Sequence, residues 1–453
     1  MGEYPPAAAR AFLQRVRHES QQMTPIQKRT SKASAEGAGP AADLLRRYRR
    51  IRSTTQQLCE GLTPEDMVVQ SMPDASPAKW HLAHSTWFFE TMVLSRARPE
   101  RPPFHPLFPV LFNSYYLSLG ERHPRPRRGL LTRPTADEVR SYRARIDDEV
   151  EQLLAAGEGP ERAVLDLIDI GLHHEEQHQE LLLTDLKHLF AQNPLRPVYA
   201  ERPPDTPAEA PPPGWAAFPG GMHQIGHDGE GFAFDNEGPR HAVHLEPFRI
   251  ATRPVTNGEV LSFLEDGGYR RGELWLSDGW NAVLEGRWEA PLYWERGERG
   301  WLAMTLAGLR PIVSAEPACH LSYYEADAIA RWAGARLPRE EEWEVASIAG
   351  GMEGTFLEDR RFHPGPVPAG RPGLLQVLGD VWEWTGSAYL PYPGYRPPPG
   401  PLGEYNGKFM CGQMVLRGGS CVTPRAHIRR TYRNFFSPGA RWQFSGVRLA
   451  MDG

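Results

Sequence analysis

The feature that most restricts the fold of this chain is a polar octet at residues 173–180, which reads His-His-Glu-Glu-Gln-His-Gln-Glu. Leucine and isoleucine residues flank the octet on both sides at a spacing that predicts a helix. His174 and His178 are four residues apart, so a helix places them on one face, where they can bind one metal ion. The other polar residues of the octet are typical of a solvated helix face; these are Glu175, Glu176, Gln179 and Glu180.

The composition is that of an ordinary multidomain protein. A length of 453 residues predicts two or three domains, and 40% hydrophobic with 24% charged residues is usual for globular proteins. A net charge of −5 offers no electrostatic basis for binding nucleic acid. The chain has no long uncharged apolar run, no apolar secretory signal and no Cys-x-x-Cys pair among its four cysteines. We therefore expect a cytoplasmic protein that does not bind a membrane.

The first half of the chain shows the periodicity of helices. A polar extension at residues 1–40, which we expect to be poorly ordered, precedes the first helical pattern. Four stretches of apolar residues at three-to-four spacing follow, beginning at Asp43 and continuing at residues 78–96, 135–155 and 160–190. The pattern predicts a four-helix bundle over residues 41–194, an architecture that often holds metals between facing helices.

The second half has a different texture. Residues 195–215 are so rich in proline that they cannot continue a helix, and they are expected to form a linker. Residues 216–453 combine short β-prone pieces, such as 241–250, with many glycine and proline turns. Helices are expected only near residues 257–266 and 323–333, so this half is predicted to be a loop-rich α+β domain.

A three-histidine metal site requires one more imidazole from another helix. His81 and His84 are three residues apart in the second predicted helix, and either can supply it. Three neutral imidazoles on one side of an ion leave positions for substrate and dioxygen, which suits iron(II) oxygen chemistry. The alternative is that these histidines are hydrogen-bonded packing residues beside tryptophan.

The octet also contains His-Glu-x-x-His, the signature of zinc proteases in which the glutamate, here Glu175, is the general base. Such proteases require a third ligand downstream at a defined spacing. The next histidine, His188, does not have that spacing, so the protease interpretation is disfavoured.

Motifs in both halves of the chain indicate a family. The first half contains Trp-His-Leu-Ala-His at residues 80–84, Trp-Phe-Phe-Glu at 87–90 and Asn-Ser-Tyr-Tyr at 113–116. The second half contains Gly-Met-His-Gln-Ile-Gly at 221–226, Arg-Leu-Pro-Arg-Glu-Glu-Glu-Trp at 336–343, Gly-Asp-Val-Trp-Glu-Trp-Thr at 379–385 and Leu-Arg-Gly-Gly-Ser at 416–420. Together they resemble the ergothioneine-biosynthesis sulfoxide synthases. The resemblance implies a multidomain α and α+β protein, with a damage-inducible-type four-helix bundle fused to a C-type-lectin-like, sulfatase-modifying-factor domain similar to formylglycine-generating enzymes.

The resemblance also implies an activity. These synthases use iron(II) and dioxygen to join the sulfur of cysteine to C2 of the imidazole of hercynine (Nα-trimethylhistidine), and they oxidise that sulfur to a sulfoxide. Transferred to the matching positions, the metal ligands are His84, His174 and His178. Gln177 then lies near the substrate imidazole or its trimethylammonium group. Delivery of a proton or hydrogen to the reacting oxygen requires an acid such as a phenol, for which Tyr115 and Tyr116 are the candidates.

Substrate-binding residues are predicted in two further places. Residues 431–444 resemble the family's substrate-lining segment, in which aromatic faces and amide oxygens suit a trimethylammonium group; the candidates are Asn434, Trp442 and Phe444, with Phe435 or Phe436 on the thiol side. Arg128 and Arg133 are candidates for binding substrate carboxylates. The phenylalanine pair stands where members that use γ-glutamylcysteine have an acidic residue, which favours cysteine as the thiol donor.

Other functions stay open at this point. The same scaffold could make selenoneine from a selenosugar or form an ovothiol-type bond at C5 of histidine. A zinc-dependent thiol transferase or hydrolase of the bundle family is a different class, and a non-catalytic lectin-like binding module is a third. Formylglycine-generating activity is not expected, because no second cysteine follows Cys421.

Overall fold

The computed structural model describes residues 39–156, 159–205 and 210–453, so nearly all of the extension predicted at residues 1–40 lies outside the described residues. Two compact units are present. Unit 1 contains the described residues up to Leu189 together with two later segments, Gly229–Phe232 and Arg396–Lys408. Unit 2 contains Phe190–Asp228, Ala233–Tyr395 and Phe409–Gly453. Both later segments fall within residues 216–453, the predicted second domain, whereas the structure groups them with the helices.

Unit 1 is built on long helices at the four predicted stretches. They are α1 (Pro40–Gln57), α2 (Ala78–Phe88), α3 (Ala136–Ala155) and α4 (Arg162–Gln192). A π-helix, Phe89–Leu94, continues α2 and leads into the helical turn Ser95–Ala97. Two further turns lie between α2 and α3, an α-helical one at Phe108–Leu111 and a 3₁₀ one at Arg125–Leu130.

Local sequence explains where α3 begins and how α2 approaches α4. Thr135 and Glu138 form a capping box, in which each side chain accepts a hydrogen bond from the other residue's backbone N–H, at 3.2 and 2.6 Å. Gly171 of α4 faces the end of α2 and the start of the π-helix. A Cβ atom at this position would lie 2.9 Å from the ring of Phe88 and 2.8 Å from that of Phe89. Only glycine therefore permits this close approach, which occurs three residues before His174.

Unit 2 consists of small sheets and short helices. The strands are β1 Trp215–Phe218, β2 Gly221–Ile225, β3 His241–Leu245, β4 Phe248–Ala251, β5 Trp294–Gly297, β6 Gly300–Thr305, β7 Gly308–Pro311, β8 Trp382–Ala388, β9 Met414–Arg417, β10 Asn434–Phe436, β11 Ser445–Val447 and β12 Ala450–Asp452. One sheet has the order β1-β4-β12 and is antiparallel, and another has the order β10-β9-β8-β11 with only β8 and β11 parallel. An antiparallel pair, β2-β3, and an antiparallel meander, β5-β6-β7, complete the strands of the described part.

The helices of unit 2 correct one expectation. The predicted pair is present as α5 (Asn257–Glu265) and α7 (Tyr323–Trp332). Two more helices, α6 (Ser277–Gly286) and α8 (Glu340–Ser347), were not predicted. Neither has a clear three-to-four apolar pattern, because α6 contains two glycines and α8 begins with three consecutive glutamates. None of the helices described is long and apolar enough for a membrane span.

Candidate metal centre and active site

Three histidines of unit 1 meet in the interior between two helices. His84 lies on α2, while His174 and His178 lie one turn apart on α4. One nitrogen from each ring lies within 4.8 Å of the other two, and the ring centroids are 4.6 to 4.9 Å apart. All three residues are buried. The structure therefore brings together the three predicted ligands, and His84 rather than His81 supplies the third imidazole.

The polar atoms of this cluster fit a metal ion better than they fit a packed core. Nε2 of His84 and both ring nitrogens of His174 are buried and have no hydrogen-bond partner among the described residues. A buried polar atom without a partner costs about 1–3 kcal/mol, and a metal ion would remove that cost. Burial, reinforced by neighbouring imidazoles, lowers the pKa of His84 and His178 well below the usual value. Burial lowers the pKa of His174 to about 3, so all three rings are neutral at pH 7, the form that binds metals.

Two of the three rings are held by hydrogen bonds on their other side. Nδ1 of His84 donates to the carbonyl oxygen of Phe112 at 2.6 Å, which leaves Nε2 with its lone pair. Nδ1 of His178 lies 2.9 Å from Nδ1 of His81. His81 is thus not part of the triad but contacts one of its members, in keeping with the expectation that it is not a ligand.

The solvated face predicted for the octet is wrong. Glu175, Glu176 and Gln179 are all buried, because helices α1 and α3 cover this side of α4. The Glu175 carboxylate accepts hydrogen bonds from Arg52 at 2.7 Å, from Thr55 at 2.6 Å and from Arg143. Gln179 donates to the carbonyl oxygen of Ile51 and to the Thr55 hydroxyl, both at 3.0 Å.

This environment also removes the protease interpretation. Burial alone would raise the pKa of Glu175, but the charges of Arg143 and Arg52 with the hydrogen bond from Thr55 outweigh it and lower the pKa to about 2. A carboxylate with this pKa and two arginine partners is a poor general base at neutral pH. Glu175 instead links α4 to α1 and α3.

A cluster of tyrosines lies beside the imidazoles. Tyr116 is fully buried, its ring stacks on Tyr115 at 4.7 Å between centroids, and it lies 5.6 Å from Trp87. Burial raises the pKa of Tyr116 well above the usual value, so its hydroxyl keeps its proton at neutral pH. A third tyrosine, Tyr405, comes from the segment Arg396–Lys408. Its ring centroid is 5.8 Å from that of His174, and its hydroxyl donates to Oε1 of Gln177.

The segment that carries Tyr405 is fixed to the loop that carries the tyrosine pair. The Glu404 carboxylate accepts the backbone N–H groups of Leu117 and Ser118, each at 2.9 Å. Lys408 bonds both to Glu404 and to the carbonyl oxygen of Tyr115. Burial opposes ionisation of Glu404, but these hydrogen bonds prevail and lower its pKa to about 2. The three tyrosines are therefore held in one cluster by charged hydrogen bonds.

Arg128 extends a stack of side chains that begins at His84 of the histidine cluster. The ring of Trp80 lies parallel to that of His84 at 4.5 Å, and the guanidinium of Arg128 lies 3.4 Å from the centroid of Trp80. Arg128 is buried and donates to the hydroxyls of Ser76 and Ser114, at 2.9 and 3.1 Å. Its Nε has no partner, and no carboxylate of the described chain pairs with it.

Comparisons with known proteins agree with this architecture. Residues 47–182 match the DinB superfamily, and residues 200–369 and 365–453 match the sulfatase-modifying factor enzyme 1-like domain. The chain is 34% identical over 425 residues to the hercynine oxygenase of Mycobacterium tuberculosis, covering 89% of this chain and 97% of that protein. It is also 34% identical to the hercynine oxygenase of Mycolicibacterium thermoresistibile, covering 91% and 95% of the two chains. The chain belongs to the hercynine oxygenase family.

Membership of the hercynine oxygenase family makes the chain an oxygen-using oxidoreductase and confirms the predicted combination of domains. The C-terminal part has relatives of its own. The formylglycine-generating enzyme of Streptomyces coelicolor is 31% identical, covering 53% of this chain and 89% of that protein. The hercynine oxygenases match nearly the whole chain, so they rather than these shorter relatives define its family.

The remaining predicted site residues belong to other parts of the chain. Those of residues 431–444 belong to unit 2, where Asn434, Phe435 and Phe436 form β10. The ring of Phe435 stacks on Tyr389 at 4.1 Å, and that of Phe436 meets Trp442 edge-on at 6.2 Å. Phe444 is fully buried beside His320, as expected of a core residue. Arg133 is exposed and donates to the carbonyl oxygen of Thr132, unlike the buried Arg128.

Proposed function

We propose that this member of the hercynine oxygenase family is a three-histidine iron(II) enzyme that couples cysteine to hercynine. In the overall reaction the C2–H bond of the hercynine imidazole and the S–H bond of cysteine break, and a C–S bond and an S=O bond form. One atom of dioxygen becomes the sulfoxide oxygen, and the other leaves as water with the two hydrogens. The product is hercynylcysteine sulfoxide, an intermediate of ergothioneine biosynthesis.

The observation that carries the proposal is the buried imidazole cluster with unpartnered nitrogens, in a chain with 34% identity to hercynine oxygenases over nearly its full length. His84, His174 and His178 would hold the metal. Bound iron(II) would supply the redox chemistry that lets dioxygen react, a role that three neutral imidazoles with open positions suit. The remaining chemistry falls to side chains around the cluster.

The tyrosine cluster is suited to hold and deliver a proton. Tyr116, whose pKa burial raises above that of an ordinary phenol, is protonated at neutral pH, so it can donate a hydrogen bond, and it would give up its proton only to a strongly basic oxygen. Tyr115 stacks against it and is half-buried, so the pair connects the interior to a more open side. We assign proton delivery to this pair.

Gln177 and Arg128 are suited to orient substrates. The Tyr405 hydroxyl bonds to Oε1 of Gln177, which fixes the amide so that its N–H₂ group can act as the donor for a substrate imidazole nitrogen. Arg128 is a buried cation that lacks an anionic partner in the described chain, and an arginine fork pairs best with a carboxylate. We therefore assign the carboxylate of a substrate to Arg128. Proximity at the metal then replaces a bimolecular encounter of the two substrates.

The thiol donor and the trimethylammonium group are assigned by resemblance. Asn434, Phe435, Phe436, Trp442 and Phe444 remain the candidates for these groups, and Arg133 remains a candidate for a second carboxylate. The exposed position of Arg133 makes it a weaker candidate than Arg128. Phenylalanines at positions 435 and 436 present no charge to a γ-glutamyl amine, which supports cysteine.

The deciding experiment is an anaerobic reconstitution of the full chain with iron(II), followed by dioxygen, hercynine and either cysteine or γ-glutamylcysteine, with the products identified by mass spectrometry. We expect the sulfoxide from cysteine, and no product from a His174→Phe variant or from protein loaded with zinc. A product from γ-glutamylcysteine alone would overturn the assignment of the thiol donor. A C5-linked product, turnover with zinc in the absence of dioxygen, or a selenium-containing product formed in preference when a selenosugar is added, would overturn the proposed reaction.

A further inference from the structure

A fourth histidine, His81, connects the histidine cluster to a buried carboxylate. Nδ1 of His81 lies 2.9 Å from Nδ1 of His178, and Nε2 of His81 lies 3.0 Å from Oδ2 of Asp185. The same Asp185 oxygen accepts the backbone N–H of Ser76 at 2.7 Å. All four residues are buried. A continuous chain of hydrogen bonds therefore runs from the start of α2 through Asp185 and His81 to a proposed metal ligand.

The direction of each hydrogen bond follows from the acceptor at the end of the chain. The carboxylate of Asp185 can only accept, so Nε2 of His81 must carry a hydrogen and donate it. In the neutral imidazole, Nδ1 of His81 then has the lone pair and accepts from Nδ1–H of His178. The hydrogen of His178 is thereby placed on Nδ1, and Nε2 is left with the lone pair that a metal requires.

We propose that Asp185 and His81 are positioning residues that select the metal-binding tautomer of His178 and fix the orientation of its ring. The inference rests on the proposed metal site and deepens it. Outer partners of this kind hold the ligands of metal sites generally, and their loss typically costs about 10–100-fold in metal affinity. Here the partner of the ligand is a second imidazole, and the carboxylate acts through it.

The substitution Asp185→Leu tests the proposal, because it removes the carboxylate with a modest change of volume. Ser76 N–H and Nε2 of His81 both bond to Oδ2, so an asparagine with its amide oxygen at that position would keep both hydrogen bonds. Leucine offers no acceptor to Nε2 of His81, so the hydrogen of His81 is free to move to Nδ1. From Nδ1 it would donate to Nδ1 of His178 and leave the His178 hydrogen on Nε2, the proposed metal-binding atom.

The measurement is the affinity of the full-length apo-protein for cobalt(II) alone, from the visible absorption of the bound ion in competition with a chelator. We expect Asp185→Leu to bind cobalt(II) about 10–100-fold more weakly than the unmodified chain. The matched control is Thr184→Val, which changes the adjacent buried residue, whose hydroxyl bonds to the Glu180 carbonyl of its own helix at 2.9 Å. Thr184→Val should bind within about twofold of the unmodified chain, because it leaves the outer partners of the ligands in place.

A second variant and a spectroscopic readout keep the test decisive. His81→Phe removes the acceptor and should weaken cobalt(II) binding even if Asp185→Leu does not fold, and adding Asp185→Leu to it should have no further effect. In apo-protein labelled with ¹⁵N-histidine, the His178 ring should carry its hydrogen on Nδ1, and at least in part on Nε2 in Asp185→Leu. Folded variants that bind cobalt(II) about as tightly as the unmodified chain, or a control that loses as much affinity as Asp185→Leu, would overturn the inference. An unmodified chain that binds no cobalt(II) would instead refute the metal site itself.

Discussion

Helix α4 carries two buried polar faces that differ in one respect. On one face, His174 and His178 sit beside His84 with ring nitrogens that have no partner in the described chain or only a histidine partner. On the other, Glu175 and Gln179 are equally buried, and hydrogen bonds from α1 and α3 engage them. The residues of the two faces are adjacent in sequence and equally buried, so neither position in the chain nor burial separates them. Their partners do.

The difference shows how the fold supports a reactive centre. Arg52 and Arg143 converge on Glu175 and fasten three helices together, and a buried network of charged hydrogen bonds makes its surroundings rigid. The histidine face, held on the same helix, is then presented in a fixed geometry with its lone pairs free. A functional site needs both parts, since ligands placed on a mobile helix would lose the geometry that a metal requires.

The largest expected effect concerns the face that carries Glu175 and Gln179. Glu175→Gln removes the charge that two buried arginines share and should lower the free energy of unfolding of the apo-protein by about 3–5 kcal/mol. Glu151→Gln is the matched control, because Glu151 pairs with Arg49 on the surface of the same bundle, and it should cost less than about 1 kcal/mol. Urea denaturation measures both. Equal losses in the two variants would show that the network does not have the role assigned to it.

The next effect concerns the face that carries His174 and His178. Here a substitution should lower metal affinity without lowering the stability of the apo-protein. His174→Phe replaces a ring whose nitrogens lack partners by an apolar ring of similar size, beside Phe88 at 4.8 Å. The apo-protein should be as stable as the unmodified chain or more so, whereas cobalt(II) affinity should fall by more than about 100-fold, beyond the usual effect of an outer-sphere change. A marked loss of apo stability would mean that His174 is a packing residue.

The contrast between the faces also shows what could be predicted from sequence. The helices of unit 1 and the pair His174 and His178 follow from periodicity within one segment. The burial of Glu175 does not, because its partners Arg143 and Arg52 are 32 and 123 residues away, and only tertiary structure brings them onto this helix face. A glutamate on a helix is usually solvated, so the local pattern indicated the wrong environment.

Two other features of the site were beyond the same reasoning. Tyr405 is 228 residues from its partner Gln177 and belongs to a loop-rich stretch with no periodicity. The choice of His84 over His81 as a ligand depended on family resemblance, because both residues lie on the same short buried helix. The sequence signal for His81 is its spacing from His84, and in the structure His81 contacts the proposed ligand His178 instead of joining the cluster.

A change of pH should distinguish the contributions of the two faces to the free energy of unfolding without any mutation. The pKa of His174 is about 3 in the fold, against about 6.5 in an unfolded chain, so the unfolded state binds its proton first as the pH falls. The stability that the neutral ring contributes is present above about pH 6.5 and is lost progressively below it, by about 2 kcal/mol at about pH 5 for this residue. Glu175 has a pKa of about 2, against about 4.3 when unfolded, so it contributes its full stability above about pH 4.3 and loses it only below.

The measurement is urea denaturation of the apo-protein from about pH 8 to about pH 4, a range that spans both unfolded-state pKa values. A decline that begins near pH 6.5 should be smaller in His174→Phe, and the decline below about pH 4.3 should be smaller in Glu175→Gln. If His174→Phe has the same pH profile as the unmodified chain above about pH 5, the histidine face is not the source of the decline.

The smallest effect tests the residue on which the comparison is least decisive. Gln177 has a partner, the Tyr405 hydroxyl, and yet we assign it to a substrate. Tyr405→Phe should lower the affinity for hercynine about fivefold, because it releases the Gln177 amide, and ordering that side chain again on binding costs about 1 kcal/mol. The free energy of unfolding of the apo-protein should fall by no more than about 1 kcal/mol. Tyr48→Phe removes a buried hydroxyl that donates to Asp147 at 2.7 Å, so it should reduce stability by a similar amount and leave hercynine binding unchanged. Calorimetric titration of the anaerobic iron(II) protein with hercynine, paired with urea denaturation, compares the two. If Tyr405→Phe reduces only the stability, Gln177 is a structural residue like Glu175 and Gln179 rather than a substrate-binding one.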